Sequence, residues 1–298
     1  MLLACAAAVV ALTLAPAVQA SWWRQASTGP ARPPLIGVDH VAFKISDAAA
    51  AREFYGELLG YPVVTPRDPA GPLIARISSR QSLVLEPGLR PDEDDRLSHI
   101  AFATSGLTSM KAYLESRGVV VEGPARQLCG REALRTKDPD GNAIEFVQED
   151  ALAATPPDSS RQPLSTRLYH TGAAVRDEAR AHAFYRDVLG MEETWRGGAS
   201  PARIQWVNMR VPDGTDYLEY MLNDAPPTRQ QLGSQHHACL LVPDIQAAWE
   251  TVRSRTPAAR RAGLQKPRIG RNNKWQLNLF DRDGTRVELM EPFPTRTQ

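Results

Sequence analysis

Between Val38 and Ile45 apolar and polar residues alternate loosely, the pattern of a half-buried strand. Asp47 follows as a helix cap, and the spacing predicts a helix from Ala48 to Leu59 whose apolar face carries Phe54 and Leu58. Gly60 stops it. Three short strands are expected next, around Val63–Thr65, Ile74–Ser78 and Leu83–Glu86, giving the order β-α-β-β-β. The order starts again at Leu168: a strand to Val175, a cap at Asp177, a helix to Leu189 and a stop at Gly190. Phe54-Tyr55 precedes Gly60 by the interval that separates Phe184-Tyr185 from Gly190, and these helical aromatics are expected in the core. Two further stretches, Lys137 to Asn142 and Phe280 to Thr285, are tight Asp/Gly turns that feed a final strand.

Onto this framework the chain places one chemical pattern four times: a histidine opening a strand and a glutamate closing a later one. The pairs are His40/Glu86, His99/Glu145, His170/Glu219 and His237/Glu288, at separations of 46, 46, 49 and 51 residues. So regular a period marks repeated supersecondary units. In the fourth unit His237 is preferred to His236. Val242 and Asp244 follow His237 as Val175 and Asp177 follow His170, and neighbours on a strand face opposite ways. Imidazole with carboxylate is the usual composition of a divalent-metal site, and a cation relieves the penalty of clustering buried carboxylates.

These features together resemble the vicinal oxygen chelate superfamily, whose members include glyoxalase I, methylmalonyl-CoA epimerase, the fosfomycin- and bleomycin-resistance proteins and extradiol ring-cleaving dioxygenases. The motifs that carry the resemblance are Asp39-His40-Val41, Phe54-Tyr55 before Leu59-Gly60, and Asp138-Pro139-Asp140-Gly141 before Ile144-Glu145-Phe146. It spans about residues 35–292. It implies an α+β chain of four βαβββ modules forming two cupped mixed β-sheets with flanking helices. It also implies metal ligands at His40, Glu86, His99, Glu145, His170, Glu219, His237 and Glu288. Sequential pairing of modules is expected, because neighbouring units pack together more often than distant ones; crosswise pairing, as in dimeric glyoxalases, would use the same eight residues.

A Pro/Ser-rich stretch at 151–165 reads as a linker between a first domain, 35–150, and a second, 166–292; residues 21–34 read as a tether. Residues 1–20 carry no charge, run Ala/Leu/Val-rich and end in Ala17-Val18-Gln19-Ala20. They are expected to be a signal peptide for export to the periplasm or beyond, although no basic residue precedes Arg24. They are too short for a comfortable transmembrane span with flanks. With 35 basic and 34 acidic residues there is no electrostatic case for nucleic acid or an anionic membrane. The expected partner is a small-molecule substrate with adjacent oxygens. Cys239, two residues past His237, is expected to be a buried free thiol. His182 is expected at the surface or in packing. Arg131, Arg135, Asn273 and Lys274 lie on segments that overhang the cups, as a solvated face or as a grip on an anionic substrate.

The resemblance implies a divalent cofactor (Zn, Ni, Co, Mn or Fe). With two histidines and two glutamates around it, two octahedral positions stay open for a substrate that chelates through neighbouring oxygens. The chemistry so implied is that of a lyase or isomerase working through a metal-chelated enediolate, with Glu145 and Glu288 as catalytic bases. Extradiol ring cleavage is the alternative. It needs only two histidines and one carboxylate, and Arg135 and Asn278 stand where its tyrosine would be expected. The third reading is a metal-free small-molecule binding or resistance protein.

Overall fold

The computed structural model describes residues 29–65, 71–126, 131–149 and 161–295. The expected signal peptide, residues 21–28 of the tether, Cys129 and most of the linker lie outside them. The first unit comprises β1 (Leu35–Ile45), α1 (Ala48–Ala51, continuing as a π-helical segment Arg52–Leu58), β2 (Val63–Val64), β3 (Leu73–Arg76) and β4 (Ser82–Pro87). The second comprises β5 (Leu97–Thr104), α2 (Leu107–Ser116), β6 (Glu122–Arg126), β7 (Glu132–Lys137) and β8 (Ala143–Gln148). The third has β9 (Leu168–Val175), α3 (Glu178–His182, continuing as a π-helical segment Ala183–Val188), β10 (Glu192–Ser200), β11 (Arg203–Arg210) and β12 (Tyr217–Leu222). A helix absent from the other units, α4 (Arg229–Gln235), comes next. The fourth unit follows with β13 (His237–Leu241), α5 (Ile245–Arg255), β14 (Arg268–Ile269), β15 (Trp275–Phe280) and β16 (Arg286–Met290).

The strands form two eight-stranded mixed sheets, ordered β2-β3-β4-β1-β5-β8-β7-β6 and β10-β11-β12-β9-β13-β16-β15-β14. Units therefore pair in sequence order, one with two and three with four. The architecture is α+β, with each sheet curled around one face and its helices on the other. In each sheet the four central strands are the last and first strands of one unit beside the first and last of the next. All eight patterned His and Glu residues lie on these central strands.

The local signals act where expected. Asp47 and Asp177 accept backbone N–H groups at their helix starts, and Gly60 and Gly190 leave the helices at φ +85° and +77°. Tyr55 and Tyr185 are fully buried in one core that spans both halves. Each also reaches across to the other half. Tyr55 donates to Asp281 at 3.0 Å and Tyr185 to Asp138 at 2.9 Å, so each Asp/Gly turn locks onto the helix of the opposite half.

Burial raises the Asp281 carboxyl from the usual 3.8 to about 6, against the opposing pull of the Thr285 N–H and the Tyr55 hydroxyl. The folded chain thus holds this proton more tightly than the unfolded one. The stabilisation is complete below pH 3.8 and is lost as pH rises through about 6. An Asp281→Asn chain is expected to gain about 3 kcal/mol on the parent between pH 4 and pH 8. Chemical unfolding at a series of pH values measures this, and a difference that stays flat with pH contradicts it.

Candidate metal centres

In the second half four donor atoms converge from four adjacent strands: Glu219 from β12, His170 from β9, His237 from β13 and Glu288 from β16. His170 Nε2 lies 3.1 Å from His237 Nε2 and 3.3 Å from Glu288 Oε2. His237 Nε2 lies 3.6 Å from both Glu219 Oε2 and Glu288 Oε2, and Glu219 Oε2 is 3.9 Å from His170 Nε2. Ligands about 2.1 Å from a cation stand about 3.0–3.4 Å from one another. The five His–His and His–carboxylate separations already lie close to that spacing, so the set fits a divalent ion. All four residues are buried.

The strand register explains the convergence. Cross-strand partners share a face, and one row across the sheet reads Tyr217, His170, Cys239, Glu288, while the next reads Glu219, Gly172, His237, Arg286. The ligands alternate between rows like squares of one colour. Gly172 makes the arrangement possible: a Cβ there would stand 2.1 Å from His237 Nδ1. With that space free, His237 Nδ1 donates to the Gln235 carbonyl at 2.8 Å, which leaves Nε2 unprotonated toward the cup, with Arg286 Nη2 3.0 Å from it. Burial, with Arg286 against the ring, pushes His237 down to about 3, so the imidazole is neutral, as ligation requires.

The two glutamates are held differently. Burial raises Glu219, reinforced by the nearby Glu288. For Glu288 burial acts in the same direction, but the His170 and His237 rings beside it and the charge of Arg286 hold it well below the usual carboxylate range.

The first half brings together only three of its four. His40 Nε2 is 2.9 Å from His99 Nε2, and His99 Nε2 is 3.5 Å from Glu145 Oε2, a buried oxygen with no hydrogen-bond partner. His40 Nδ1 faces Asp39 at 2.7 Å, and Asp39 is clamped by Arg131, so this histidine also turns its Nε2 inward. Burial, with His40 and Arg135 alongside, lowers His99 to about 2. Glu86 stands apart, partly exposed, 3.8 Å from the outer nitrogen Nδ1 of His99. The register gives the reason. Glu219 reaches His237 through Gly172, whereas the residue that reaches His99 through Ala42 is Val84. Glu86 lies two residues further along, beside Lys44. Arg135 donates to Glu145 at 2.5 and 2.9 Å, which neutralises the one central carboxylate.

Other expectations resolve around these cups. His236 turns away and pairs with Asp95 of the first half at 2.7 Å. His182 packs on Tyr220 between Glu178 and Glu193, where Arg196 also pairs with both glutamates. Lys274 sits over the Tyr169 ring, and Asn273 takes a left-handed turn at φ 64°. Cys239 is buried as expected, yet it lies in the metal row between His170 and Glu288, with its sulfur within 4.8 Å of a ligand atom of each. Its spacing of two from His237 was the signal for a shared strand face.

The model of the Glyoxalase/Bleomycin resistance protein/Dioxygenase superfamily matches residues 37–146 and 167–289, and the chain belongs to that superfamily. Within it, the chain is similar to the ethylmalonyl-CoA/methylmalonyl-CoA epimerase of Cereibacter sphaeroides, 32% identical over 130 residues that cover 41% of this chain and 96% of the epimerase. It is similar also to the mitochondrial methylmalonyl-CoA epimerase of Mus musculus, 29% identical over 41% of this chain and 71% of that protein. Among solved structures, homoprotocatechuate 2,3-dioxygenase from Brevibacterium fuscum superposes with a TM-score of 0.68 at 19% identity, covering 88% of this chain and 82% of that one. The Arthrobacter globiformis enzyme of the same name gives 0.69 at 18%, covering 89% and 82%. At such identities the structures share the fold. Among the described residues no helix is long and apolar enough to cross a membrane.

Proposed function

We propose that the second half is a divalent-metal centre that moves a proton beside a carbonyl, in lyase or isomerase chemistry on a substrate with adjacent oxygens. The observation that carries this reading is the set of four converging donors, with the carboxylates on the two outer strands and the histidines between them. An ion held by His170, Glu219, His237 and Glu288 would supply Lewis-acid polarisation of the two substrate oxygens. The residues do the rest. Epimerisation needs an ionised carboxylate to take a proton and a protonated one to return it from the other side. Glu219 and Glu288 stand on the two outer strands, one on either side of the histidines, so one can take the proton from one face and the other can return it to the opposite face. Charge favours the same half: Glu219, Glu288 and Arg286 sum to minus one, while Glu145 and Arg135 cancel.

Metal analysis after loading with Mn, Fe, Co, Ni or Zn, followed by solvent-deuterium exchange into glyceraldehyde and methylmalonyl thioesters, tests the proposal. The expected result is a tighter ion in the second half and exchange that Glu288→Gln and Glu219→Gln each lower by about 100- to 10,000-fold. A chain that takes up no ion moves the reading to a metal-free binding protein.

A second reading attaches to the first half. With Val84 in the fourth place, His40, His99 and Glu145 form a two-histidine, one-carboxylate set, the composition of ring-cleaving oxygenase sites. Oxygen uptake with catechols by the Fe(II)-loaded chain, abolished by His99→Ala, would support it. We also propose export with removal of residues 1–20; N-terminal sequencing of the secreted chain checks it, and a product beginning at Met1 excludes it.

A further inference from the structure

Asn208 on β11 lies across the ladder from Glu219, and Asn278 on β15 lies across from Glu288. Both are more than nine-tenths buried, at 7% and 8% exposure. Each has a side-chain carbonyl oxygen shut off from solvent with no hydrogen-bond partner. A buried acceptor left without a donor costs about 1–3 kcal/mol, and here the deficit occurs at mirror-related places on both walls of one cup. Neither glutamate, when ionised, has a proton to give. A ligand bearing O–H groups would satisfy both amides. The first cup has no such pair: Ile74 lies across from Val84, and Arg135 across from Glu145.

A cavity of about 320 Å³ is lined by Trp206 and Met221, which lie two residues along β11 and β12 from Asn208 and Glu219. Trp206, two residues before Asn208 and so on the same face of β11, is level with Met221, two residues past Glu219. Gln205, Leu222, Gln230, Gln231, Ser234 and Gln235 complete the wall, and no charged side chain lines it. Neutral amides and a hydroxyl both donate and accept, and the indole offers a flat apolar face. That combination suits hydroxyl groups on a short carbon chain and offers no cation to a phosphate.

We propose that the second cup takes a polyhydroxylated, sugar-derived hydroxy-carbonyl substrate. Its adjacent oxygens would lie at the metal ligands, and its further hydroxyls would be received by Asn208, Asn278 and the amide-lined cavity. This rests on the ion-dependent reading above and names its substrate class.

The test uses the full chain loaded with Co(II), whose visible spectrum changes when an oxygen chelate enters its coordination shell. Glycolate, gluconate and 2-hydroxyhexanoate share a 2-hydroxycarboxylate head and differ in the tail. Gluconate is expected to bind about tenfold more tightly than 2-hydroxyhexanoate. Asn208→Ala and Asn278→Ala are each expected to remove most of that preference while cobalt content and glycolate affinity persist. Equal affinity for the two tails in the parent chain overturns the substrate class, whether or not the variants fold. A preference that survives in the double variant overturns the role of the asparagines. A cobalt spectrum indifferent to glycolate overturns the ion-dependent reading beneath both.

Discussion

A Gly172→Ala chain is expected to fold and to lose its second metal centre. The added Cβ would stand 2.1 Å from His237 Nδ1, 2.2 Å from Cε1 and 2.4 Å from the Gln235 carbonyl that anchors the ring. Two of these atoms belong to a side chain that can swing, so the ring moves and its Nε2 leaves the other three donors. The strand itself tolerates a methyl group, because Ala42 holds the equivalent place in the first cup, level with His99. There the outer nitrogen faces Ser98 and Glu86, with no backbone carbonyl to hold it. Overpacking of this kind costs about 1–3 kcal/mol, which a core spanning both halves can absorb. Loss of one imidazole ligand is expected to weaken ion binding at least about 100-fold. Equilibrium dialysis beside urea unfolding separates the two effects. Undiminished ion affinity in Gly172→Ala would show that the His237 pose does not govern the centre.

The same pair of positions shows how far the chain could be read directly. Repeat spacing, helix caps at Asp47 and Asp177, and glycine stops at Gly60 and Gly190 are local signals, and the four-unit α+β architecture follows from them. The histidines were equally legible, because each opens a strand whose register is anchored by the helix after it. Glu86 was not. A slip of two residues along a strand keeps a side chain on the same face, so alternation cannot distinguish Val84 from Glu86. Only pairing with Ala42 does, and that pairing depends on loop lengths between β1 and β4. Gly172, Asn208 and Arg286 escaped notice for a related reason. Their importance lies in what stands beside them on the next strand, which no single segment records. His236 shows the opposite case. Its side chain is rejected as a ligand because Val242 and Asp244 follow His237 as Val175 and Asp177 follow His170, and neighbours on a strand face opposite ways; it does point away, into a contact with Asp95.

The comparison of the two cups also predicts how to convert one into the other. Val84→Glu would place a carboxylate beside His99 through Ala42, as Glu219 stands beside His237 through Gly172. Arg135→Asn would release Glu145 and copy the neighbour that Glu288 has in Asn278. The charge of the first cup then changes from zero to minus two, and the donor set from three to four. A divalent ion gains both a ligand and the removal of a guanidinium 2.5 Å from Glu145. Charge–charge interactions at such range are worth several kcal/mol at an effective dielectric near about 20. The double variant is therefore expected to bind an ion in the first half at least about 100-fold more tightly than the parent. The chain must also bear the burial of a second carboxylate, so without metal it is expected to unfold at lower denaturant than the parent, and to recover when metal is added. His237→Ala in the same background removes the second-half ion and leaves the first to be titrated alone. Arg135→Asn by itself separates charge from ligand count: a full gain from that single change would mean that the guanidinium, and not the missing carboxylate at Val84, governs the first cup. No gain from the double variant would mean that Val84 does not occupy the fourth ligand position, and the equivalence of the two cups would fail.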